Sequence, residues 1–61
     1  MRLFEVVNKM QLEDFKIEIF NNKIKVQKLY FSNYHLFSII ALDENLIILQ
    51  LLKIYNKYVN S

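Results

Sequence analysis

Residues 15–28 read FKIEIFNNKIKVQK, and the fold turns on this stretch. Phe15, Ile17 and Ile19 alternate with Lys16 and Glu18, while Ile24 and Val26 alternate with Lys23, Lys25 and Gln27. Strict period-two alternation on both arms predicts half-buried strands. Asn21-Asn22 stands between them. Asn accepts positive φ more readily than any residue but Gly, which suits a two-residue primed turn. That loop sets the register: Phe20 opposite Lys23, Ile19 opposite Ile24, Glu18 opposite Lys25 and Ile17 opposite Val26. The apolar pairs share one face. On the other face Glu18 and Lys25 are expected to form a cross-strand ion pair, contributing roughly 0.2–1 kcal/mol.

Beyond the hairpin, residues 34–42 (YHLFSIIAL) are apolar on both faces, so their period alone does not choose between strand and helix. As a strand following a Ser32-Asn33 turn, Phe37, Ile39 and Ala41 would pair near Lys28, Val26 and Ile24. As a helix, Ser32 would be the N-cap and Leu36, Ile39 and Ile40 the apolar side. The aromatic and β-branched bias of Tyr34, Phe37, Ile39 and Ile40 favours the strand. From Asp43 the period becomes helical. Ile47, Leu51, Ile54 and Tyr58 form one row, Ile48, Leu52, Tyr55 and Val59 a second, and Gln50, Lys53, Asn56, Lys57 and Asn60 the solvated back. Asp43 fits an N-cap, with Glu44 in the first turn and Lys53 and Lys57 towards the end, as the helix dipole favours. Leu46 and Leu49 extend the apolar surface onto the back. Towards the N-terminus, Leu3, Val6, Val7 and Met10 fall at i, i+3, i+4 and i+7 and predict a short helix over 2–10; RLFEVV as a strand is the competing reading.

The expected fold is therefore α+β over one small domain, residues 1–61: a short N-terminal helix, an antiparallel hairpin or three-stranded meander, and a C-terminal amphipathic helix packed on the sheet. The alternative is a β-hairpin followed by a helical pair. Leu, Ile, Val and Phe make up 26 of 61 residues, far above the one-fifth level typical of disordered chains. A chain this short buries only about 60% of its unfolded surface, which leaves a lone core marginal. Gly, Pro and Cys are absent, so there is no disulfide framework, no thiolate metal site and no Gly-rich phosphate loop. Phe, Tyr, Ile, Asn and Lys supply 31 of 61 residues, a bias towards A- and T-rich codons that points to an AT-rich genome. Selection for helix would not have removed Ala, the best helix former, which occurs once.

Little in the chain looks catalytic. His35 is the single His, no Ser has a neighbouring base, and the adjacent pairs Glu13-Asp14 and Asp43-Glu44 point in different directions, as capping and solvation require. His35 is expected to be an exposed edge residue or a satisfied polar group beside Tyr30. No enzyme activity, cofactor, metal or small-molecule substrate is expected. Asp43, Glu44 and Asn45 interrupt the most apolar stretch, and each acidic residue at a bilayer centre costs about 2.5–3.5 kcal/mol, so no membrane span is expected.

Two kinds of partner fit the surface. Segment 16–28 carries a local charge of +3, and Lys16, Lys23 and Lys25 share the outer hairpin face with Phe20, an arrangement that could track nucleic acid. The whole chain has a net charge of only +2, and lysines also protect an ordinary edge hairpin from aggregation. The apolar surplus is the stronger clue. Phe20, Leu36, Ile40, Leu42, Leu46 and Leu49 lack obvious cover and form the expected protein interface. The expected function is a small non-catalytic protein-interaction module, a homodimer or a subunit that docks an apolar patch. A phage- or plasmid-type inhibitor or regulator of a host protein, for example an anti-defence factor in the cytoplasm of a bacterial host or producing cell, suits the size and composition. A nucleic-acid-binding protein using the Lys-bearing hairpin, or an accessory subunit of a large organellar complex, are the alternatives.

Overall fold

Two helices, α1 (Leu3–Leu12) and α2 (Glu44–Val59), lie on one face of a three-stranded antiparallel sheet, β1 (Phe15–Phe20), β2 (Lys23–Lys28) and β3 (His35–Ser38), in the order β1-β2-β3. The computed structural model describes residues 2–40 and 43–59. The fold is the α+β arrangement that the periods imply: Leu3–Leu12 takes the helix reading, His35–Ser38 takes the strand reading, and among the described residues no helical pair follows the hairpin.

The hairpin has the expected register at every position from Ile17–Val26 to Phe20–Lys23. Asn21 and Asn22 sit at φ 48° and 59°, the positive values that a primed two-residue turn requires. On the inner face Phe15, Ile24 and Val26 are buried against Val6 and Met10 of α1 and Ile47, Ile48, Leu51 and Ile54 of α2. Both helices thus turn the stripe that their spacing marks out towards the core, although Val59, the end of the second row of α2, is 47% exposed. Asp43 caps α2: its Oδ1 accepts a hydrogen bond from the Leu46 N–H at 2.9 Å.

Three expectations are corrected. Glu18 does not pair with Lys25; it pairs along its own strand with Lys16, at 3.2 Å, while the Lys25 ammonium lies 4.6 Å from the centre of the Tyr34 ring. Both alternatives keep the charge on the wet face, and Tyr34 gives Lys25 a π surface instead. Secondly, Phe37 pairs with Ile24, not Lys28. The chain reverses earlier than Ser32-Asn33: the Phe31 N–H donates to the Lys28 carbonyl at 3.0 Å, with Tyr30 at φ 73°. That position normally belongs to Gly or Asn, and a chain without Gly gives no such signal. The slip is four residues, an even number, so Phe37 and Ile39 stay on the inner face, packed against the core. Thirdly, β3 ends at Ser38. Ile40 therefore lies past the strand, where its N–H donates to the Ser38 hydroxyl at 3.3 Å; Ala41, Leu42 and Asn60 fall outside the described residues.

The helices run side by side in the same direction, tied at both ends. At the start, the Leu3 N–H donates to Glu44 Oε2 at 3.2 Å, so the first acidic residue of α2 satisfies an orphan donor of α1, whose own N-cap, Arg2, makes no side-chain bond. At the other end, the Tyr55 hydroxyl reaches both carboxylate oxygens of Glu13, at 2.9 and 2.8 Å. Its single proton is shared between them. The hydrogen bond to Glu13 raises the Tyr55 pKa above its ordinary value of 10.0, with desolvation and the Glu13 charge acting in the same sense. The folded state holds this proton more tightly than the unfolded state. Its contribution to stability is therefore complete below pH 10.0 and is lost as pH climbs through the raised folded value. Urea titrations above pH 10 are expected to show stability falling in the parent and falling less in Tyr55→Phe; equal slopes would contradict the link.

Candidate interaction surface

More large apolar side chains lie exposed than buried among the described residues. Phe20, Leu36, Ile40, Leu46 and Leu49, five of the six expected interface residues, are exposed; Leu42 lies outside the described residues. The fold does not gather them. Phe20 and Leu36 stand on the sheet face that the helices leave open, two strands apart, with Lys23 and Lys25 as their respective cross-strand neighbours. Leu46 and Leu49 lie on the side of α2 away from Ile47, Ile48 and Leu51, hence across the molecule from that sheet face. The open sheet face carries Lys16, Glu18 and Phe20 on β1, Lys23, Lys25 and Gln27 on β2, and Leu36 and Ser38 on β3. It mixes charge with isolated apolar residues and is not a continuous greasy patch.

A continuous apolar surface occurs elsewhere. Leu3, Phe4 and Val7 of α1 and Ile19 of β1 line an open groove of about 430 Å³, together with Arg2 and Glu44. Phe4 is 73% exposed and Ile19 58%. Ile19 points to the inner face, as the alternation requires, yet the helices stop short of covering it. The groove runs beside β1, whose only hydrogen-bonded neighbour among the described residues is β2, so no described strand covers its outer edge. Hydrophobic periodicity alone does not reveal this surface, because Leu3, Val7 and Ile19 occupy positions that read as core. The remaining signal is Phe4, an aromatic adjacent to the apolar stripe of α1 rather than on it.

A second exposed group is the connection between β2 and β3. Tyr30 is 96% exposed and Leu29, Phe31 and Tyr34 are about half exposed. The positive φ of Tyr30 costs energy for a bulky residue, and its ring buries almost nothing in return. Phe31 is anchored from behind by an edge-on contact with Tyr58 at 5.0 Å. His35 is the satisfied polar group of the two expectations, with Tyr58 as its partner: its Nε2 lies 2.8 Å from the Tyr58 hydroxyl, partly buried.

Among the described residues no three of His, Asp and Glu come together in a way that would hold a metal ion. A smaller cavity of about 150 Å³ between the helices is lined by Glu5, Val6, Lys9, Met10, Leu52 and Tyr55. Lys9 covers it, with its ammonium 5.3 Å from the centre of the Tyr55 ring. No helix among the described residues is long and apolar enough to cross a membrane. No protein-family model matches the chain, no curated protein matches it, and no solved structure matches it.

Proposed function

We propose that the protein is a non-catalytic interaction module that buries the α1–β1 groove against another polypeptide. The observation that carries this reading is the exposure of Phe4 of α1 and Ile19 of β1 in one apolar groove beside the β1 edge. An edge strand offers main-chain donors and acceptors, and the apolar groove beside it offers specificity and affinity. A module of this size and composition suits an inhibitor or regulator of a host protein, with the cytoplasm as its place of action. The test is recovery of the tagged chain from its own cell, with the mass and stoichiometry of whatever remains bound. A host protein held in a fixed ratio, and lost with Phe4→Asp, supports the regulator; a large assembly supports an accessory subunit. Recovery of the chain alone and as a monomer overturns the proposal.

One observation favours a second reading. The open sheet face sets Lys25 over the ring of Tyr34, and Lys16, Lys23 and Phe20 lie on the same face. Cations interleaved with aromatics suit a single-stranded nucleic acid, whose bases stack while its phosphates are neutralised. This reading requires binding that weakens steeply with salt and disappears when Lys16, Lys23 and Lys25 are changed to Glu.

A further inference from the structure

The free edge of β1 has a property that the groove alone does not reveal: it is complementary to itself. In a hairpin with a two-residue loop, the residues flanking the loop exchange both main-chain hydrogen bonds, and bonded and non-bonded pairs then alternate along the ladder. Phe20–Lys23, Glu18–Lys25 and Lys16–Gln27 are therefore the bonded pairs. The Leu29 N–H donating to the Asp14 carbonyl at 2.8 Å continues the same alternation. It follows that the N–H and C=O groups of Phe15, Ile17 and Ile19 point outward, along the free edge.

We infer that this edge pairs with the same edge of a second copy, antiparallel, with Ile17 on the two-fold axis. The inference rests on the proposed interaction role and names the occupant of that surface. Around Ile17 the sequence is Phe15-Lys16-Ile17-Glu18-Ile19, with opposite charges placed symmetrically and apolar residues outside them. In this register Ile17 faces the partner's Ile17, Phe15 faces the partner's Ile19, and Lys16 faces the partner's Glu18. Each bonded pair supplies two hydrogen bonds, about six in all across three pairs. The two sheets become one of six strands. Neighbouring registers lose this match. An axis at Glu18 sets Glu18 against the partner's Glu18, and an axis at Lys16 opposes like charges in the same way; direct cross-strand pairs of like charge are destabilising. An axis at Ile19 places Glu18 opposite the partner's Phe20, with no charge partner.

The side chains agree with this geometry. Lys16 and Glu18 already lie 3.2 Å apart within the strand, with their side chains 72% and 43% exposed, so both can turn to the opposing copy without leaving a buried site. Ile19, exposed where it should be inner, gains Phe15 of the partner subunit as a cross-strand neighbour on the helix-covered face. The β1 edge also lacks the devices that usually deter pairing: it has no Pro, and its one Lys is matched by a Glu.

The experiment is sedimentation equilibrium of the purified, untagged full chain and three variants, with circular dichroism to confirm that each is folded. The parent is expected to be a dimer. Lys16→Glu and Glu18→Lys, each turning two attractive pairs into repulsive ones, are expected to raise the dimer dissociation constant about tenfold or more. The double exchange, Lys16→Glu with Glu18→Lys, is expected to restore it to within about threefold of the parent. A parent that stays monomeric at millimolar concentration overturns the inference. So do single variants that dimerise as well as the parent, or a double variant weaker than both singles. A monomer that nevertheless binds a host protein in a fixed ratio removes the second copy while leaving the interaction role standing.

Discussion

Ile48→Lys is expected to abolish folding, whereas Leu49→Lys, one position along α2, is expected to leave helical content and thermal midpoint near those of the parent. Ile48 is 7% exposed and belongs to the core cluster with Val6, Met10, Ile24 and Leu51. Removing a buried Ile side chain costs about 2–5 kcal/mol, and an ammonium without a partner in its place costs several more. A chain of 61 residues has only about 3–9 kcal/mol to lose. The sum matches or exceeds the whole. Leu49 lies on the solvated side, 47% exposed, where substitutions usually change stability by about 0.5 kcal/mol or less. Far-ultraviolet circular dichroism and urea titration of the two variants decide the matter, and equal collapse would mean that α2 packs through a different face.

Phe4→Asp is expected to do the reverse, sparing the fold and removing association. The residue is 73% exposed, so little core packing is lost. It stands in the first turn of α1, where a carboxylate is favoured by the helix dipole. A buried aromatic at the centre of an interface commonly accounts for about 2–4 kcal/mol, and burying a carboxylate in its place adds to the loss. Affinity for the bound polypeptide should fall about a hundredfold or more, since each 1.4 kcal/mol is tenfold. Calorimetric titration beside a thermal melt separates the two quantities. Unchanged affinity with an unchanged melt would place the contact surface elsewhere, and the aromatic connection around Tyr30 would be the next surface to examine.

The contrast between these variants also marks how far the sequence reading reaches. The hairpin was readable residue by residue, because alternation, turn chemistry and register are all local and agree with one another. The helices were readable as stripes: Val6 and Met10 in α1, and Ile47, Leu51 and Ile54 in α2, are buried as their spacing demands. The connection from β2 to β3 was not, because without Gly the positive-φ position falls to Tyr30, a residue that carries no turn signal. The expected interface failed differently. Phe20, Leu36, Ile40, Leu46 and Leu49 are as exposed as their positions imply, yet periodicity says which face of an element is wet, not which wet faces adjoin. The groove depends on where α1 stops relative to the end of β1. That is a tertiary distance, and it turns Ile19 from an apparent core residue into a surface one.

Amide hydrogen exchange along β1, measured on the assembly as it is recovered from the cell, bears most directly on whether this edge is covered. Within one chain the N–H groups of Lys16, Glu18 and Phe20 bond to β2, while those of Ile17 and Ile19 point away from it. With another strand seated on the edge, Ile17 and Ile19 should exchange as slowly as their neighbours. An alternating pattern, slow at Glu18 and Phe20 and fast at Ile17 and Ile19, would mean that the edge is bare and the account is wrong.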